Sequence, residues 1–424
     1  MRRLTFLAGL ALIMLSFSLS AQDMNPTQFD NEINQHSIFH QHNSLNDNLF
    51  GSFSSDNSFG DYRFLPTPQS LRYNRVDALF IGIGTDFSDP NSEVLSIGGL
   101  DFDGFIGYST GQSDWQYRTE VTKHFSRSFE IGAELFSTST TDDYWRTELT
   151  ENSITSLVAG YDYHDYYKAE GYGIFSEANL GRYLSFATSY NYTVYNSLSN
   201  NSSYAFFDGG NIGRLNPGID SSTDNLTQNS IGIQLGINKK GYTKGTFTSK
   251  FIAIAELSNA ADFDNDFLYN KFEITSFNYL KLDKNTLLKI RVKAGSITGS
   301  APDFKNFYLG GIGSLRATGY KFHQGNKMLL SNAELIFGDF WEFDKGHLEV
   351  EGLYLSLFMD SGWTDFISNN STDPFSGFEN FAFNKLTHNI GSGIGTSFIR
   401  FEVATPIAGS EGFTSFWIRL NPTF

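Results

Sequence analysis

The chain has 424 residues and no cysteine, which excludes disulfides, thiolate metal centres and a lipid-modified N-terminal cysteine. A formal charge of −16 provides no basic face to release counterions from nucleic acid, so nucleic acid is excluded as a partner. Charged residues make up only 18% and aromatics reach 16%, with 42 Phe, 21 Tyr and 40 Gly. After the N-terminus no apolar run approaches the roughly 18 residues a spanning helix needs.

Arg2 and Arg3 precede an apolar run from Leu4 to Leu15 and the small residues Ser18, Ser20 and Ala21. This is the layout of a secretory signal peptide, expected over residues 1–21. Residues 22–72 form a polar segment rich in Asn, Asp, Ser, Phe and His, without helical or strand period. His36, His40 and His42 are spaced as metal ligands, but nothing completes a coordination shell, so no metal is assigned.

From Tyr73 to Phe424 the chain reads as alternating strands, and a membrane barrel is expected over 73–424. The pattern predicts strands over Val76–Phe87, Gly99–Tyr108, Trp115–Phe125, Phe129–Thr138, Tyr172–Leu180 and Leu184–Tyr195. Four more follow near Ile231–Asn238, Thr246–Leu257, Leu268–Leu280 and Leu287–Ile297. An insertion from about Thr141 to Gly171 holds Asp162, His164 and Asp165 in an aromatic-rich stretch, which reads as a solvated surface loop. In the strand near Leu287, Leu288, Ile290 and Val292 face one way, and Lys289, Arg291 and Lys293 the other. Three like charges would each cost a few kcal/mol in lipid, so this basic stripe is expected in a hydrated lumen.

The strand series is then interrupted by Phe307–Tyr320, F-Y-L-G-G-I-G-S-L-R-A-T-G-Y. Gly310, Gly311, Gly313 and Gly319 permit a tightly folded loop, and Arg316 among apolar neighbours needs an acid if buried. Five further strands are predicted over Met328–Phe337, Leu348–Asp360, Asn389–Phe398, Ile399–Thr405 and Phe413–Phe424. With ten before the loop and one in the weak segment Leu65–Arg72, the even-number rule of such barrels favours about 16 strands. On the last strand Phe416, Ile418, Leu420 and Phe424 share one face, and Trp417 and Arg419 the other. Pro422 predicts an edge or bulge near the closure seam.

The glycine–arginine stretch, followed by N-A-E-L-I-F and L-F-M-D-S-G-W, resembles the outer-membrane assembly factor and surface-antigen superfamily, whose members include BamA, TamA and FhaC-type barrels. The resemblance covers roughly Phe307–Phe424 and implies an all-β transmembrane barrel with a long extracellular loop folded into its lumen. It implies that Arg316, with Gly310, Gly311, Gly319 and Tyr320, forms the loop motif, and that Asp360 and Glu334 are the acids anchoring it. It further implies that Phe416, Ile418, Leu420 and Phe424 form the signal by which assembly machinery takes up the barrel. Two departures stand out. Ala317 and Thr318 separate Arg316 from Gly319 where the family is contiguous, and the segment before the barrel is too short for a periplasmic client-binding module.

The implied setting is the bacterial outer membrane, with lipids and client or partner proteins of the membrane or periplasm as partners. The implied work is protein insertion or translocation; the alternative is a passive channel or structural barrel, which the basic stripe would bias toward anions. No Ser/His/Asp arrangement is present, so neither an enzyme nor a cofactor is expected.

Overall fold

The computed structural model describes residues 71–84, 99–126, 128–181, 183–207, 210–219, 225–237, 243–244, 247–259, 263–342, 349–367, 372–396 and 399–420. The expected signal peptide, the three N-terminal histidines, Pro422 and Phe424 lie outside the described residues.

In chain order the elements are β1 (Leu71–Asn74), β2 (Ala78–Gly84), β3 (Leu100–Ser109), β4 (Asp114–Ser126), β5 (Phe129–Thr140), helix α1 (Leu149–Ala159), β6 (Tyr167–Leu180) and β7 (Leu184–Ser197). They continue with β8 (Leu226–Ile237), the short β9 (Thr243–Lys244), β10 (Phe247–Leu257), β11 (Leu268–Asp283) and β12 (Thr286–Ser300). A ribbon of β13 (Phe307–Leu309) and β14 (His323–Gly325) precedes β15 (Lys327–Glu342), β16 (Glu349–Asp365), β17 (Thr387–Gly395), β18 (Ile399–Pro406) and β19 (Ser415–Leu420).

Each long strand pairs antiparallel with the next, β8 passing directly to β10. The sheet has seventeen strands; without the two-residue β9, sixteen make the barrel wall. β13 and β14 pair only with each other. One end carries short connections such as 127–128, 181–183 and 284–285. The other carries the long 141–166, 198–225, 301–326 and 366–386 beside short turns such as 75–77 and 110–113. On β16, Leu353, Leu355, Leu357 and Met359 are exposed, while Tyr354, Ser356, Phe358 and Asp360 are buried. That alternation, repeated by Ile81 and Ile83 on β2 and by Phe416 and Ile418 on β19, gives an apolar outer surface around a polar interior.

The start of the barrel differs from the predicted strand Val76–Phe87. Asn74 Oδ1 accepts the amides of Val76 (2.9 Å) and Asp77 (2.7 Å), folding a tight turn between β1 and β2. Arg75 and Asp77 are buried there, so the sequence run is a hairpin rather than one strand.

Four glycines on the barrel wall are roofed by phenylalanine rings. A Cβ added at Gly107, Gly132, Gly295 or Gly391 would lie 2.2–2.4 Å from Phe80, Phe175, Phe307 or Phe358 respectively. Gly132 and Phe175 are register partners on β5 and β6, as are Gly391 and Phe358 on β17 and β16. The ring covers the gap a missing side chain leaves, filling the lumen wall without widening it. Replacing Gly132 by Val should therefore destabilise the barrel by about 1–3 kcal/mol through overpacking. A lower temperature for the heat-modifiable gel shift is the expected readout, with outward-facing Ala133→Val as a silent control; equal shifts would refute the assignment.

Candidate functional site

The 301–326 connection enters the barrel as the β13–β14 ribbon and turns over at Gly310–Phe322. Leu309, Ile312, Ser314, Leu315 and Ala317 are all fully buried. Gly310 has φ 117°, and a Cβ there would lie 2.1 Å from the Gly319 carbonyl. Gly313 has φ 73° with the Arg146 backbone 2.5 Å from where its Cβ would be. Both a left-handed backbone and a close approach thus demand glycine at these two positions.

Arg316 is 1% exposed and meets three carboxylates. Its Nε and Nη2 donate to Asp360 at 2.8 Å each, a bidentate pair, and its backbone amide donates to the same carboxylate at 3.2 Å. Nη1 donates to Glu334 (2.9 Å) and Glu402 (3.2 Å), while the guanidinium lies 3.4 Å from the Phe358 ring centre. Burial works against this charge, but Asp360 first, then Glu402 and Glu334, outweigh it and raise the guanidinium pKa above its ordinary value. Arg400 bridges Glu334 and Glu402, and Lys289 is Glu334's register partner on β12. Three bases therefore face three acids, and Asn332 completes Asp360 with a 2.8 Å bond.

The tip is held by every strand from β15 to β19. Glu334, Asp360 and Glu402 supply β15, β16 and β18; Asn389 of β17 accepts from Ala317 N (3.0 Å). On β19, Ser415 Oγ and Trp417 Nε1 donate to the Arg316 carbonyl at 2.5 and 2.9 Å. The two residues that separate Arg316 from Gly319 make contacts of their own. Ala317 O accepts Phe413 N at 2.9 Å, and Thr318 O accepts Gly311 N at 2.9 Å, closing the turn.

Tyr320 points away from this cluster, donating its hydroxyl to Tyr163 O at 2.5 Å beneath Arg214. Lys289, Arg291 and Lys293 of the basic stripe face inward and are buried. Arg291 donates to Asn332 and to Gly313 O of the loop, and Lys293 pairs with Glu273 at 2.7 Å. Lys293 also lines a cavity that remains in the lumen. Phe416 and Ile418 are exposed on the outer face, and Leu420 is half-buried.

The 141–166 insertion corrects a second expectation, since Asp162 and His164 are fully buried rather than solvated. Arg75 pairs with Asp162 (3.5 Å) and Asp165 (2.7 Å), and Arg214 and Lys321 also reach Asp165. Arg146 fastens the insertion to the re-entrant loop through Tyr308 O (2.5 Å), Gly310 O (3.1 Å) and Ser314 Oγ (3.1 Å). His164 Nε2 lies 2.9 Å from Thr147 Oγ1 and 3.0 Å from Thr147 O, so either tautomer finds a partner on Thr147. Burial lowers the His164 pKa, against the opposing pull of Asp143 and Asp162.

Helix α1, within the same insertion, lies against both ends of the wall. It stops at Gly160, whose backbone is left-handed (φ 68°) and donates to Thr155 O. Ser153 Oγ accepts the β1 amide of Tyr73 (3.3 Å). Glu151 accepts the β19 amide of Leu420 (2.9 Å) and the Arg419 guanidinium (2.9 and 3.3 Å). Among the described residues, β1 and β19 share no ladder.

Glu402, Arg400 and Asn389 were not singled out from sequence as site residues, nor were Arg75, Arg146 and Glu151, which tie the insertion to the rest of the barrel. Arg400 and Glu402 do alternate with Ile399, Phe401 and Val403, an inward-charge signal that marks their face but not their partner.

No protein-family model matches the chain, and no curated protein is similar to it. Among solved structures it is similar to BamA from Haemophilus ducreyi lacking POTRA domains 1–3, at 15% identity and a TM-score of 0.47, over 82% of this chain and 69% of that one. CdiB from Acinetobacter baumannii is similar at 11% identity and TM-score 0.44, over 81% and 56%; CdiB from Escherichia coli at 12% and 0.40, over 80% and 61%. The chain thus spans less than two thirds of either CdiB structure.

Replacing Arg316 by Ala removes the guanidinium partner of Asp360 and one of the cations shared by Glu334 and Glu402, and should cost on the order of 3–5 kcal/mol. Limited proteolysis should then cut within 307–322, and Arg316→Lys should not rescue, lacking the bidentate fork; a protease-resistant Arg316→Ala barrel would refute the anchoring. For His164, a lowered folded pKa means the unfolded chain binds the proton more readily. Stability is unaffected well above about pH 6.5 and falls as pH drops below it. A His164→Gln barrel should lose part of that slope between roughly pH 6.5 and 5, the rest coming from His323, whose pKa burial also lowers; an unchanged slope would refute it.

Proposed function

We propose that this chain is a bacterial outer-membrane β-barrel that assists the insertion or translocation of other polypeptides, working at the seam between β1 and β19. The observation that carries the reading is that seam. The edge amides of Tyr73 and Leu420 are satisfied by helix side chains, not by each other's strand. A strand edge capped by removable side chains can accept a client strand in register, main chain to main chain. The rest of the wall is laddered throughout, and the last five strands are tied by the Arg316 cluster into a rigid side against which the seam can move.

The outer apolar surface supports lipids as the surroundings, and a signal peptide over 1–21 with a polar segment to 72 would deliver the chain there. Phe416, Ile418 and Leu420, with Phe424, would be read by the assembly machinery during the barrel's own insertion. A passive anion channel is the weaker reading, because Lys289, Arg291 and Lys293 are buried against loop and wall. At the long-loop end the lumen keeps a cavity of about 230 Å³, lined in part by Arg118, Glu134 and Lys271.

Purified barrel in liposomes should accelerate folding of an added unfolded outer-membrane barrel above the rate in empty liposomes, and depletion in cells should lower the outer-membrane content of some barrels or exported chains. Equal folding rates with an unchanged outer-membrane proteome would overturn the proposal.

A further inference from the structure

The contacts of α1 specify where it lies. Side chains two residues apart on an α-helix point about 200° away from each other. Glu151 and Ser153 therefore project from opposite sides, and one engages β19 while the other engages β1. Between them around the helix, Asn152 and Ser156 are buried, Asn152 donating to Asp162 (3.1 Å) and Tyr166 (2.8 Å) inside the insertion. The direction opposite Asn152 carries Ile154, Leu157 and Val158, and Val158 is exposed. The helix thus has a polar side turned inward, an apolar side turned away from the insertion, and one strand edge on each flank.

We infer that α1 is a removable wedge in the barrel wall, filling the gap between β1 and β19 and locked by the ion pair of Glu151 with Arg419. This rests on the seam being the working site, and adds what keeps the seam shut. Glu151 and Arg419 are each 2% exposed, so the lock has a strength that a surface pair lacks. It also neutralises an arginine on the last strand and occupies the amide next to it, so one carboxylate covers both the charge and the edge. The helix is held at its flanks by side chains alone, so leaving the seam breaks no strand ladder. A client strand that pairs with β19 must take the Leu420 amide from Glu151, and the helix then loses its hold.

The chain contains no cysteine, so a single Ser153→Cys substitution reports on the helix without background. In full-length protein reconstituted in liposomes, a membrane-impermeant maleimide should label the introduced thiol slowly. Adding Glu151→Ala should speed labelling by at least about tenfold, as expected for loss of a buried ion-pair partner. Exchanging the charges with Glu151→Arg and Arg419→Glu should restore slow labelling. A folded, heat-modifiable Glu151→Ala barrel that labels at the parent rate would overturn the wedge. So would a charge exchange that labels as fast as Glu151→Ala, because the lock would then not be the ion pair.

Should Glu151→Ala fail to fold, Tyr73→Cys with Ser153→Cys, bridged by a short thiol cross-linker, keeps the question open to test. The parent barrel should show brief conductance steps in planar bilayers, bridging should abolish them and cleavage of the cross-link should restore them; a parent without steps, or steps that persist when bridged, would overturn the wedge. These readouts need no client. A barrel that passes them yet fails to accelerate client folding when unbridged would sink the proposed insertion role and leave the wedge standing.

Discussion

One buried guanidinium governs the C-terminal side of this barrel. Arg316 carries its charge into a space with almost no solvent, where an unpaired ion is far too costly to persist. Asp360, Glu334 and Glu402 come from three different strands, and their mutual repulsion is relieved only while Arg316, Arg400 and Lys289 are in place. The arrangement is worth less as net stability than as geometry. Planar, bidentate recognition of Asp360 fixes the loop tip in position and angle, and the carbonyl of the same residue is captured by β19.

The long-loop end extends the same logic. Arg146, Lys321 and Arg75 join the insertion, the re-entrant loop and the first hairpin through buried charge pairs, each acid meeting bases from separate parts of the chain. Loops that would be independent in a simple pore here form one body filling the lumen. At the seam, by contrast, that body holds the described strand edges with detachable side-chain contacts in place of a ladder.

Much of the wall could be read from the sequence, because a strand facing lipid on one side and a polar lumen on the other must alternate. Sixteen strands follow from that period and the even-number rule, although the short β1 (Leu71–Asn74) shares only Leu71 and Arg72 with the weak segment Leu65–Arg72. Arg316 stood out as a charge in a glycine-rich, apolar stretch, whereas Asp360 and Glu334 were implied only by the family resemblance. Glu402 did not stand out, since one inward acid on a strand looks like any other until its partner is located 86 residues away. The insertion was misread for the same reason. Tyr161–Tyr167 has the composition of a solvated loop, yet from Asp162 on it is largely buried, with Arg75, Arg214 and Lys321 converging on its acids from distant positions. The hairpin at Asn74 was hidden because its turn depends on a side-chain oxygen, not on glycine or proline.

The Arg316 cluster also bears on the order in which the molecule can be put together. The direct partners of Arg316, from Glu334 to Trp417, all follow the loop in sequence and lie within the final quarter of the chain, and Lys289 of β12 joins the cluster from the strand just before it. The loops it closes are short by the standard of a barrel that must also join its first strand to its last, and closure entropy grows with the separation of the ends. The tip has its own strands to nucleate on, β15 to β19, before the N-terminal wall is required. The plug therefore need not be threaded into a finished cylinder: the cylinder can be built around it.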